Sequence, residues 1–384
     1  TDVKRLVSYV AQHKARLPWL SITARAAGTD MSGGAINEGI ILDLTKHLKA
    51  LGRVAGETLI TEPGVYYRRF GRRAARSNMM MPAYPASASI CALGGMVANN
   101  CGGEKSLRYG KIERYVKSLR AVLADGEEYE FSAVSGPALH QKLQLDSYEG
   151  EIYRSLHHLL VQNYEKLKLA RPEVSKNSMG YNVWGAWDGT TLDITKLLVG
   201  SQGTLGIVTQ AQLRLIPMPR HTGMVVAVLD SLEGLGDLIK LVLRHNPTSF
   251  ESFDEHTLKL ALKFLPSLGK RLGVWGSIKT ALGFLSDISL IRKGIPKLIM
   301  LIEFEADSRK QLLQALSSCQ NDLKAAGITL KLADSEAKSQ RYWLVRRESF
   351  NLLRRKIHNL HTAPFIDDII VPPKHLSSFL PLLS

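Results

Sequence analysis

Three glycine-rich stretches contain the residue types whose spacing could support chemistry. They occupy residues 25–35, 85–111 and 197–217, and each combines glycines with asparagine, serine or threonine side chains. Glycine lets the backbone turn with positive φ and approach a ligand closely, so a row of backbone N–H groups can converge on a phosphate. Together the stretches predict a site for a flat, polar, phosphate-bearing ligand. A glycine-rich surface loop is the alternative interpretation of any one stretch.

Two common nucleotide-binding motifs are missing from these stretches. No GxGxxG sequence follows a predicted strand and opens a helix, as the Rossmann fingerprint requires. The sequence GGEKS at residues 102–106 resembles a P-loop, but Glu104 stands where that motif has the glycine before its lysine. The sequence therefore favours neither Rossmann-type dinucleotide binding nor nucleoside triphosphate binding.

The elements that must position these stretches can be predicted from hydrophobic periodicity and turn residues. Residues 20–24 and 39–44 predict strands on either side of the first stretch, and residues 148–168 predict a helix. Asp125 and Gly126 predict the turn of a β-hairpin. The third stretch runs from a predicted helix into a predicted strand.

The composition changes after residues 217–221, which predict a linker to a second domain. Beyond it, the pattern strand, helix, strand occurs twice, over residues 224–254 and 297–333. This repetition predicts two βαβ passes of an α+β layer. A chain of 384 residues is long enough for about two domains.

Charge and cysteine content limit the partners and the compartment. The net charge of +15 favours acidic partners, but no zinc-finger spacing, RRM-like aromatic motif or HTH-like core supports nucleic-acid binding, which we consider unlikely. Three cysteines without a CxxC pair predict a reducing compartment, the cytoplasm. Residues 1–14 predict an amphipathic helix without the apolar core of a signal peptide, and no run of about 18 apolar residues occurs. Any membrane contact is therefore expected to be peripheral.

Residues 261–300 form a basic amphipathic insertion between the two strand–helix–strand patterns. Such an insertion predicts either a segment that lies on an anionic bilayer or a helical cap over a substrate pocket, and both hypotheses stay open. The basic run within residues 52–82 is more typical of a solvated face than of a site. The insertion's cations, which stand against the single acid Asp287, are Lys263, Lys270, Arg271, Lys279, Arg292, Lys293 and Lys297.

Three glycine-rich segments, taken in order, resemble the FAD-binding fold of the vanillyl-alcohol oxidase superfamily. They are RAAGTDMSGGA, ALGGMVANNCGG with RYGK, and VGSQGTLGIVT. The resemblance is to its FAD-linked 2-hydroxy-acid dehydrogenase branch, which includes D-lactate dehydrogenases, the FAD subunit of glycolate oxidase and D-2-hydroxyglutarate dehydrogenases. The sequences YWLVRRESFNLLRRK and PFIDDIIVPPKHL resemble the WxxR helix and the FxEDxxVPxxxL strand-turn of the same branch. They look closest to members with a fused iron–sulfur module.

The resemblance implies an α+β fold. Residues 1–217 would form a two-subdomain FAD-binding domain of the PCMH type, and residues 218–384 an α+β substrate or cap domain, with both ends of the fold expected to be incomplete. The family's metal ligands and its probable catalytic base would lie beyond residue 384, so a divalent metal is expected only through residues outside this chain. FAD is expected to be non-covalent, because Thr29 stands where covalently flavinylated relatives have a histidine.

The resemblance also implies which residues contact FAD, with the first stretch around the pyrophosphate, the second along the ribitol and isoalloxazine, and the third closing over the flavin and adenosine. Cys91 stands where the family commonly has serine or threonine, and Cys101 replaces a usual serine or alanine. The implied FAD contacts are Ala27, Gly28, Thr29, Asp30, Met31, Ser32, Gly33 and Gly34; Pro85, Cys91, Ala92, Leu93, Gly94, Gly95, Ala98, Asn99, Asn100, Tyr109 and Gly110; and Gly203, Thr204, Gly206, Ile207 and Val208.

The implied reaction is oxidation of a small D-2-hydroxy acid to the 2-oxo acid by hydride transfer to flavin N5. Electrons would then pass to a quinone, a cytochrome, or an iron–sulfur protein or module. Arg346 matches the arginine of WxxR and is the candidate for the substrate carboxylate, since a guanidinium can hold it with two parallel bonds. A solvated arginine on a basic helix is the alternative. A non-catalytic FAD-binding subunit, completed by a partner chain, is the alternative function.

The remaining candidate residues carry weaker expectations. Asp368 could orient a neighbouring ligand or form a surface ion pair. His358 and His361 are expected in a basic loop rather than at a metal, because no carboxylate lies beside them at helical spacing. Other candidates are Lys176 and Tyr181, which could approach the flavin, and Ile366, which stands near a position where hydroxyglutarate-type members often have lysine and so favours a smaller acid.

Overall fold

The computed structural model describes residues 1–174, 176–259, 295–336, 338–340, 342–343, 346, 369–379 and 382. Contacts divide the chain into two compact units, Thr1–Met218 and Pro219–Ser384. Each unit has its own hydrophobic core. The boundary between the units falls within the predicted linker, residues 217–221. Over the described residues, no helix combines the length and the apolar character needed to cross a membrane.

The first unit contains nine helices and eleven strands within its described residues. Its helices are α1 (Asp2–His13), α2 (Tyr67–Ala75), α3 (Leu93–Ala98), α4 (Ser106–Tyr109), α5 (Gly136–Leu143), α6 (Tyr148–Gln162), α7 (Tyr164–Ala170), α8 (Val183–Ala186) and α9 (Thr195–Leu198). Its strands are β1 (Ile22–Arg25), β2 (Ile40–Asp43), β3 (Leu51–Ala55), β4 (Thr58–Thr61), β5 (Met79–Met80), β6 (Val116–Val122), β7 (Glu128–Ser132), β8 (Val134–Ser135), β9 (Thr191–Leu192), β10 (Ile207–Arg214) and β11 (Ile216–Pro217).

The main sheet of this unit has five strands in the order β3-β4-β10-β6-β7, and its neighbouring strands are antiparallel. Leu119, Phe131 and Leu213 alternate with exposed or half-buried residues along their strands and are fully buried against the helices. The predicted hairpin is confirmed: β6 and β7 pair across a turn in which Gly126 has φ +83°.

Two predicted elements of the first unit need comment. The strands on either side of the first glycine-rich stretch are confirmed as the parallel pair β1 and β2, with Ile22 opposite Ile40. The single helix predicted over residues 148–168 is wrong, because the structure has α6 and α7 separated at Asn163. The Asn163 amide donates to the Leu159 carbonyl at 2.9 Å, and this local bond competes with the continuing helix.

The second unit contains a four-stranded antiparallel sheet in the order β13-β14-β12-β15. This order is that of the split βαβ arrangement, so the two predicted strand–helix–strand passes are confirmed. Within the described residues, its elements are β12 (His221–Leu229), α10 (Leu235–Leu243), β13 (Ser249–Asp254), β14 (Leu298–Ala306), α11 (Arg309–Ala325), β15 (Thr329–Ala333) and α12 (Leu376–Phe379).

The two faces of this second sheet differ in chemistry. One face packs on α10 and α11 through Val225, Ile302 and Leu316, which are fully buried. The opposite face carries Met224, Glu303 and other residues that pair across the strands, together with Trp343. Because successive side chains of a strand point to opposite faces, this second face carries Ser249 and Glu251 of β13 and Glu303 and Glu305 of β14 beside its apolar residues, and we call it the polar face.

The C-terminal bound of the predicted insertion, residue 300, is wrong. Leu298 pairs with Leu229 of β12, and the pairing continues without interruption to Ala306. Residues 298–300 therefore belong to the sheet, because their β-branched and apolar side chains fit its buried strand. The rest of the insertion, residues 261–294, lies outside the described residues.

Candidate functional site

The first glycine-rich stretch forms a loop between β1 and β2 that folds back on itself. Gly28 and Gly33 have φ angles of +62° and +85°, a backbone conformation that is unfavourable for residues with a side chain. The Asp30 carboxylate closes the loop, accepting hydrogen bonds from the Gly34 amide at 3.0 Å and from the Ser32 hydroxyl at 2.8 Å. The Asp30 side chain therefore stabilises the conformation of the loop.

The backbone of this loop fits an anionic group. Across the described residues, the backbone amides of Thr29, Met31 and Ser32 donate to no acceptor within the protein. A Cβ placed on Gly33 would meet only the Ile36 side chain, at 3.8 Å, so the loop leaves open space beside its glycine. Amides in such a loop can bind phosphate oxygens. The loop therefore fits the pyrophosphate of a dinucleotide.

The second stretch folds as α3 and lies against the first loop. A Cβ on Gly94 would come within 2.5 Å of the Pro63 side chain, so close packing requires glycine there. One residue later, a Cβ on Gly95 would lie 3.6 Å from the Ala26 Cβ. The Asn99 amide reaches the Asp30 carboxylate at 3.5 Å. Helix α3 thus forms a wall beside the loop of residues 25–35.

The third stretch joins the same region through its backbone. The Gly200 amide donates to the Val97 carbonyl, and the Gln202 amide donates to the Ala98 carbonyl, both at 3.0 Å. A Cβ on Gly34 would lie 3.5 Å from the Gln202 side-chain oxygen. The three glycine-rich stretches, separated by tens of residues in sequence, therefore meet in one cradle, which we call the glycine cradle.

Other predicted contact residues lie around the glycine cradle. Tyr109 ends α4, and Gly110 follows it with φ +71°. Ile207 and Val208 lie in β10, opposite Val122 and Ala121. Pro85 begins a turn, because the Ala88 amide donates to the Pro85 carbonyl. The Thr204 hydroxyl forms a hydrogen bond with the Tyr181 hydroxyl at 2.8 Å. A Cβ on Gly206 would lie 2.8 Å from the Leu123 side chain.

A buried polar network holds the end of α3, and the sequence analysis did not identify it. Glu113 accepts hydrogen bonds from the side-chain amides of Asn100, at 2.5 Å, and Asn182, at 3.0 Å. The buried Lys111 ammonium lies 3.8 Å from the same carboxylate and donates to the Asn177 carbonyl. The network therefore ties residues 177–182 to the glycine cradle. In the sequence, the local signal for this network is that the acidic residue Glu113 follows the basic residue Lys111 by two positions.

Replacement of Glu113 by glutamine is expected to lower the free energy of unfolding by about 1–3 kcal/mol, because it leaves a buried ammonium without its carboxylate. Urea unfolding measures the change. The matched control is Glu130→Gln, because Glu130 pairs with Arg120 at 3.0 Å where both side chains are about half exposed. That change is expected to stay below about 0.5 kcal/mol. Equal losses in the two variants would contradict the role given to Glu113.

Two cysteines of the second stretch are shielded from solvent. Cys91 is 3% exposed and packs in the hydrophobic core, to which Leu93 also belongs. Burial raises the pKa of the Cys91 thiol to about 11 and that of the Cys101 thiol to about 12.

These raised pKa values predict lower stability in alkali. The unfolded thiols lose their protons near pH 9, while the folded thiols keep theirs until about pH 11 or 12. The unfolded state therefore binds fewer protons above pH 9, and the free energy of unfolding is expected to fall by up to about 1.4 kcal/mol per pH unit for each thiol. Urea titrations at pH 8 and near pH 10 measure it. A Cys91→Ala/Cys101→Ala variant with the same slope would contradict this assignment.

In the second unit, Arg346 lies on the polar face of the sheet. Its guanidinium Nη2 is 3.3 Å from Oε2 of Glu251 on β13, and the Arg346 side chain is 41% exposed. Trp343 lies three residues before Arg346 in the sequence, and its Nε1 donates to Oε1 of Glu303 at 3.0 Å. Trp343 is 2% exposed and Glu303 is 6% exposed. Neither glutamate was predicted from the sequence, because the contacts that bring Glu251 to Arg346 and Glu303 to Trp343 join residues far apart in the chain.

Several sequence candidates lie outside the described residues, namely His358, His361, Ile366 and Asp368. Lys176 is described and acts electrostatically on the Cys101 thiol and on Lys111. Within the described parts of the chain, no group of three His, Cys, Asp or Glu side chains could hold a metal ion.

Protein-family models match both units of the chain. The FAD binding domain model matches residues 1–132, and the model of the C-terminal domain of FAD linked oxidases matches residues 218–383. Both units thus match domains of FAD-linked proteins. The chain belongs to the FAD-linked oxidases of the vanillyl-alcohol oxidase superfamily, and its cofactor is FAD.

Individual relatives agree with this assignment. The chain is 25% identical, over 94% of its length, to D-2-hydroxyglutarate dehydrogenase of Pantoea ananatis and covers 35% of that protein. It is 24% identical, over 94% of its length, to D-lactate dehydrogenase of Archaeoglobus fulgidus and covers 63% of it. The chain thus spans about a third of the length of the first of these relatives.

A solved structure supports the fold. An alkyldihydroxyacetonephosphate synthase structure superposes with a TM-score of 0.61 over 92% of this chain and 57% of its own chain, at 15% sequence identity. The predicted α+β fold, with an FAD-binding domain of the PCMH type, is confirmed.

Proposed function

We propose that the protein is an FAD-dependent dehydrogenase that oxidises a small D-2-hydroxy acid to the corresponding 2-oxo acid. The observation that carries the proposal is the meeting of three glycine-rich stretches in one cradle, closed by Asp30, Asn99 and Gln202. Two relatives named for oxidation of D-2-hydroxyglutarate and D-lactate support the substrate class.

Within this proposal, FAD supplies the two-electron acceptor for the hydrogen on the substrate's α-carbon. The amides of Thr29, Met31 and Ser32 hold the pyrophosphate, because they are donors in a loop that leaves room for a phosphate. Thr29 offers no imidazole for a covalent link, so the cofactor is non-covalent. The remaining candidate contacts of the glycine cradle line the ribitol, the isoalloxazine and the adenosine.

Arg346 binds the substrate carboxylate in this proposal. Its guanidinium is partly exposed on the polar face of the second sheet, and Glu251 holds one of its nitrogens at 3.3 Å. A planar guanidinium can hold a carboxylate with two parallel hydrogen bonds. Within this proposal, the buried Trp343–Glu303 hydrogen bond, three residues before Arg346 in the sequence, acts as a positioning pair.

The test is reduction of bound flavin by the substrate. Purified chain is reconstituted with FAD, and the flavin absorbance is recorded anaerobically after addition of D-lactate, glycolate or D-2-hydroxyglutarate, with L-lactate as a stereochemical control. We expect stoichiometric flavin and bleaching by one D-2-hydroxy acid or by glycolate. Absence of flavin after reconstitution would overturn the proposal. Flavin that bleaches only after a partner chain is added would favour an FAD-binding subunit.

The acceptor and the location belong to the same proposal. We place the enzyme in the cytoplasm, since the three cysteines are free thiols and two of them are buried. Electrons leave to a quinone, a cytochrome or an iron–sulfur protein. A peripheral position on the inner face of the membrane rests on residues 261–300. Equal sedimentation with anionic liposomes before and after their deletion would contradict that position.

A further inference from the structure

One surface of the first unit carries an unusual density of positive charge. Between residues 46 and 76 the sequence has eight lysines and arginines and only two acids, Glu57 and Glu62. All eight cations are exposed except Arg73, which is half-buried. We call this surface the basic face. Its cations are Lys46, Lys49, Arg53, Arg68, Arg69, Arg72, Arg73 and Arg76.

Helix α2 and the segment around β3 form the basic face together. The Arg69 guanidinium donates to the Lys49 carbonyl at 2.9 Å, and the Arg73 guanidinium donates to the Gly52 carbonyl at 3.0 Å. These bonds hold the arginines of the helix against the lysines and arginine of the neighbouring segment. On the other side of α2, Phe70 and Ala74 are fully buried. The charges therefore occupy the whole outer side of the helix.

The basic face keeps a large excess of positive charge. Over the described residues, none of its eight cations has a carboxylate oxygen within 4.0 Å. The nearby Glu62 carboxylate instead accepts a hydrogen bond from the Ala50 amide at 2.6 Å. Arg68 and Arg72 are four residues apart on α2, a spacing at which like charges destabilise a helix. The face thus favours an external partner with negative charge.

The basic face is attached to the stretch that the proposed function places along the flavin. The Arg68 guanidinium donates to the Ser89 carbonyl at 3.1 Å. The Tyr67 amide donates to the Cys91 carbonyl at 3.0 Å, and Tyr66 forms an isolated β-bridge with Ala92. One end of α2 is therefore bonded directly to the backbone that leads into α3. A partner on the basic face would lie beside the glycine cradle.

We propose that the basic face docks an acidic redox protein that takes electrons from the enzyme. This inference rests on the proposed function. Fixed guanidinium groups suit pairing with the carboxylates of a folded protein and steer such a partner into contact. A bilayer is a poorer match, because the apolar side chains of α2, Phe70 and Ala74, are buried and cannot insert into lipid.

The overall reaction balances with a one-electron carrier. Oxidation of one hydroxy acid to the oxo acid releases two electrons and two protons. Two molecules of the acidic carrier each take one electron, and both protons enter the solvent. No further oxidant is needed.

The test compares two charge-reversal variants of the FAD-loaded chain. The variant Arg53→Glu/Arg72→Glu/Arg76→Glu changes the basic face but spares Arg69 and Arg73, whose guanidinium groups hold the β3 segment. The matched control is Lys166→Glu/Lys168→Glu/Arg171→Glu, which changes net charge equally at exposed residues on and after α7. Binding is measured with an acidic plant-type [2Fe–2S] ferredoxin as the probe, over a series of salt concentrations, and with basic cytochrome c for comparison.

We expect ferredoxin to bind the unmodified chain more tightly than cytochrome c does, with affinity that falls as salt rises. The basic-face variant is expected to bind ferredoxin about tenfold or more weakly, and the control variant within about twofold of the original affinity. A neutral version, Arg53→Gln/Arg72→Gln/Arg76→Gln, should show an intermediate loss. It serves as the second variant if charge reversal disturbs folding, which circular dichroism melting checks.

Equal ferredoxin binding by the basic-face variant and the original chain would overturn the proposal. So would equal losses in both charge-reversal variants, because net charge alone would then explain them. Loss of binding to phosphatidylglycerol vesicles or to DNA, with ferredoxin binding unchanged, would assign the face to those partners instead. Flavin content and reduction of a small dye by the hydroxy acid test the proposed function separately, and neither should change in the basic-face variants.

Discussion

Replacement of Arg346 by glutamine is expected to lower kcat/KM for the 2-hydroxy acid by about a hundredfold or more, with flavin content unchanged. The guanidinium is the candidate partner of the substrate carboxylate, and removing one member of a desolvated charge pair typically removes about 2–5 kcal/mol of binding. Anaerobic stopped-flow measurement of flavin reduction against substrate concentration gives both kcat and KM. We expect most of the effect in KM, because the carboxylate is bound in the ground state as well.

Two comparisons sharpen this prediction. Arg309→Gln, an exposed arginine on α11 of the same unit, is the control for loss of one positive charge and should change kcat/KM by less than about twofold. Arg346→Lys should recover only part of the loss, because an ammonium cannot form two parallel bonds to a carboxylate. An Arg346→Gln variant with unchanged KM would exclude Arg346 from the substrate site.

Replacement of Gly33 by alanine is expected to weaken FAD binding by about tenfold or more while the chain stays folded. Gly33 has φ +85°, a conformation that disfavours alanine by about 1–2 kcal/mol. The added methyl group would also point into the open space beside the phosphate-binding loop, where it meets only the Ile36 side chain at 3.8 Å. Fluorescence titration of the apoprotein with FAD measures the affinity.

The control for Gly33→Ala is Gly56→Ala in the turn between β3 and β4. Gly56 has φ +55°, and a Cβ there would meet nothing within 4 Å, so this change carries the same kind of backbone strain without a nearby ligand. The two variants should lose similar folding stability, but only Gly33→Ala should lose FAD affinity. If both bind FAD equally well, the loop of residues 25–35 does not hold the cofactor.

Arg346 and the arginines of the basic face are held by different kinds of partner. Arg346 is held by Glu251, an acid that the sheet brings from far along the chain, whereas the arginines of α2 are held by main-chain carbonyls. A guanidinium bonded to a carbonyl keeps its full positive charge, so α2 presents a field that attracts an acidic partner. The guanidinium beside Glu251 is partly neutralised, and it is better suited to orienting one small anion than to attracting a protein.

Much of the fold follows from local features of the sequence. The hairpin at Asp125 and Gly126, the strands flanking residues 25–35, and the two strand–helix–strand passes depend on periodicity and turn residues, which act over a few positions. The break between α6 and α7 did not follow from periodicity, because the apolar pattern continues through Asn163 while its side-chain bond to Leu159 interrupts the helix.

The sequence by itself predicted one ligand site built from three glycine-rich stretches, since the backbone freedom of glycine is a local property that the residue type carries with it. Only the tertiary structure decided which side chains close the cradle and hold its walls. Gln202 reaches Gly34, and Glu113 joins Asn100 to Asn182. These contacts join residues far apart in sequence, and their positions depend on strand register and packing, which no local pattern specifies.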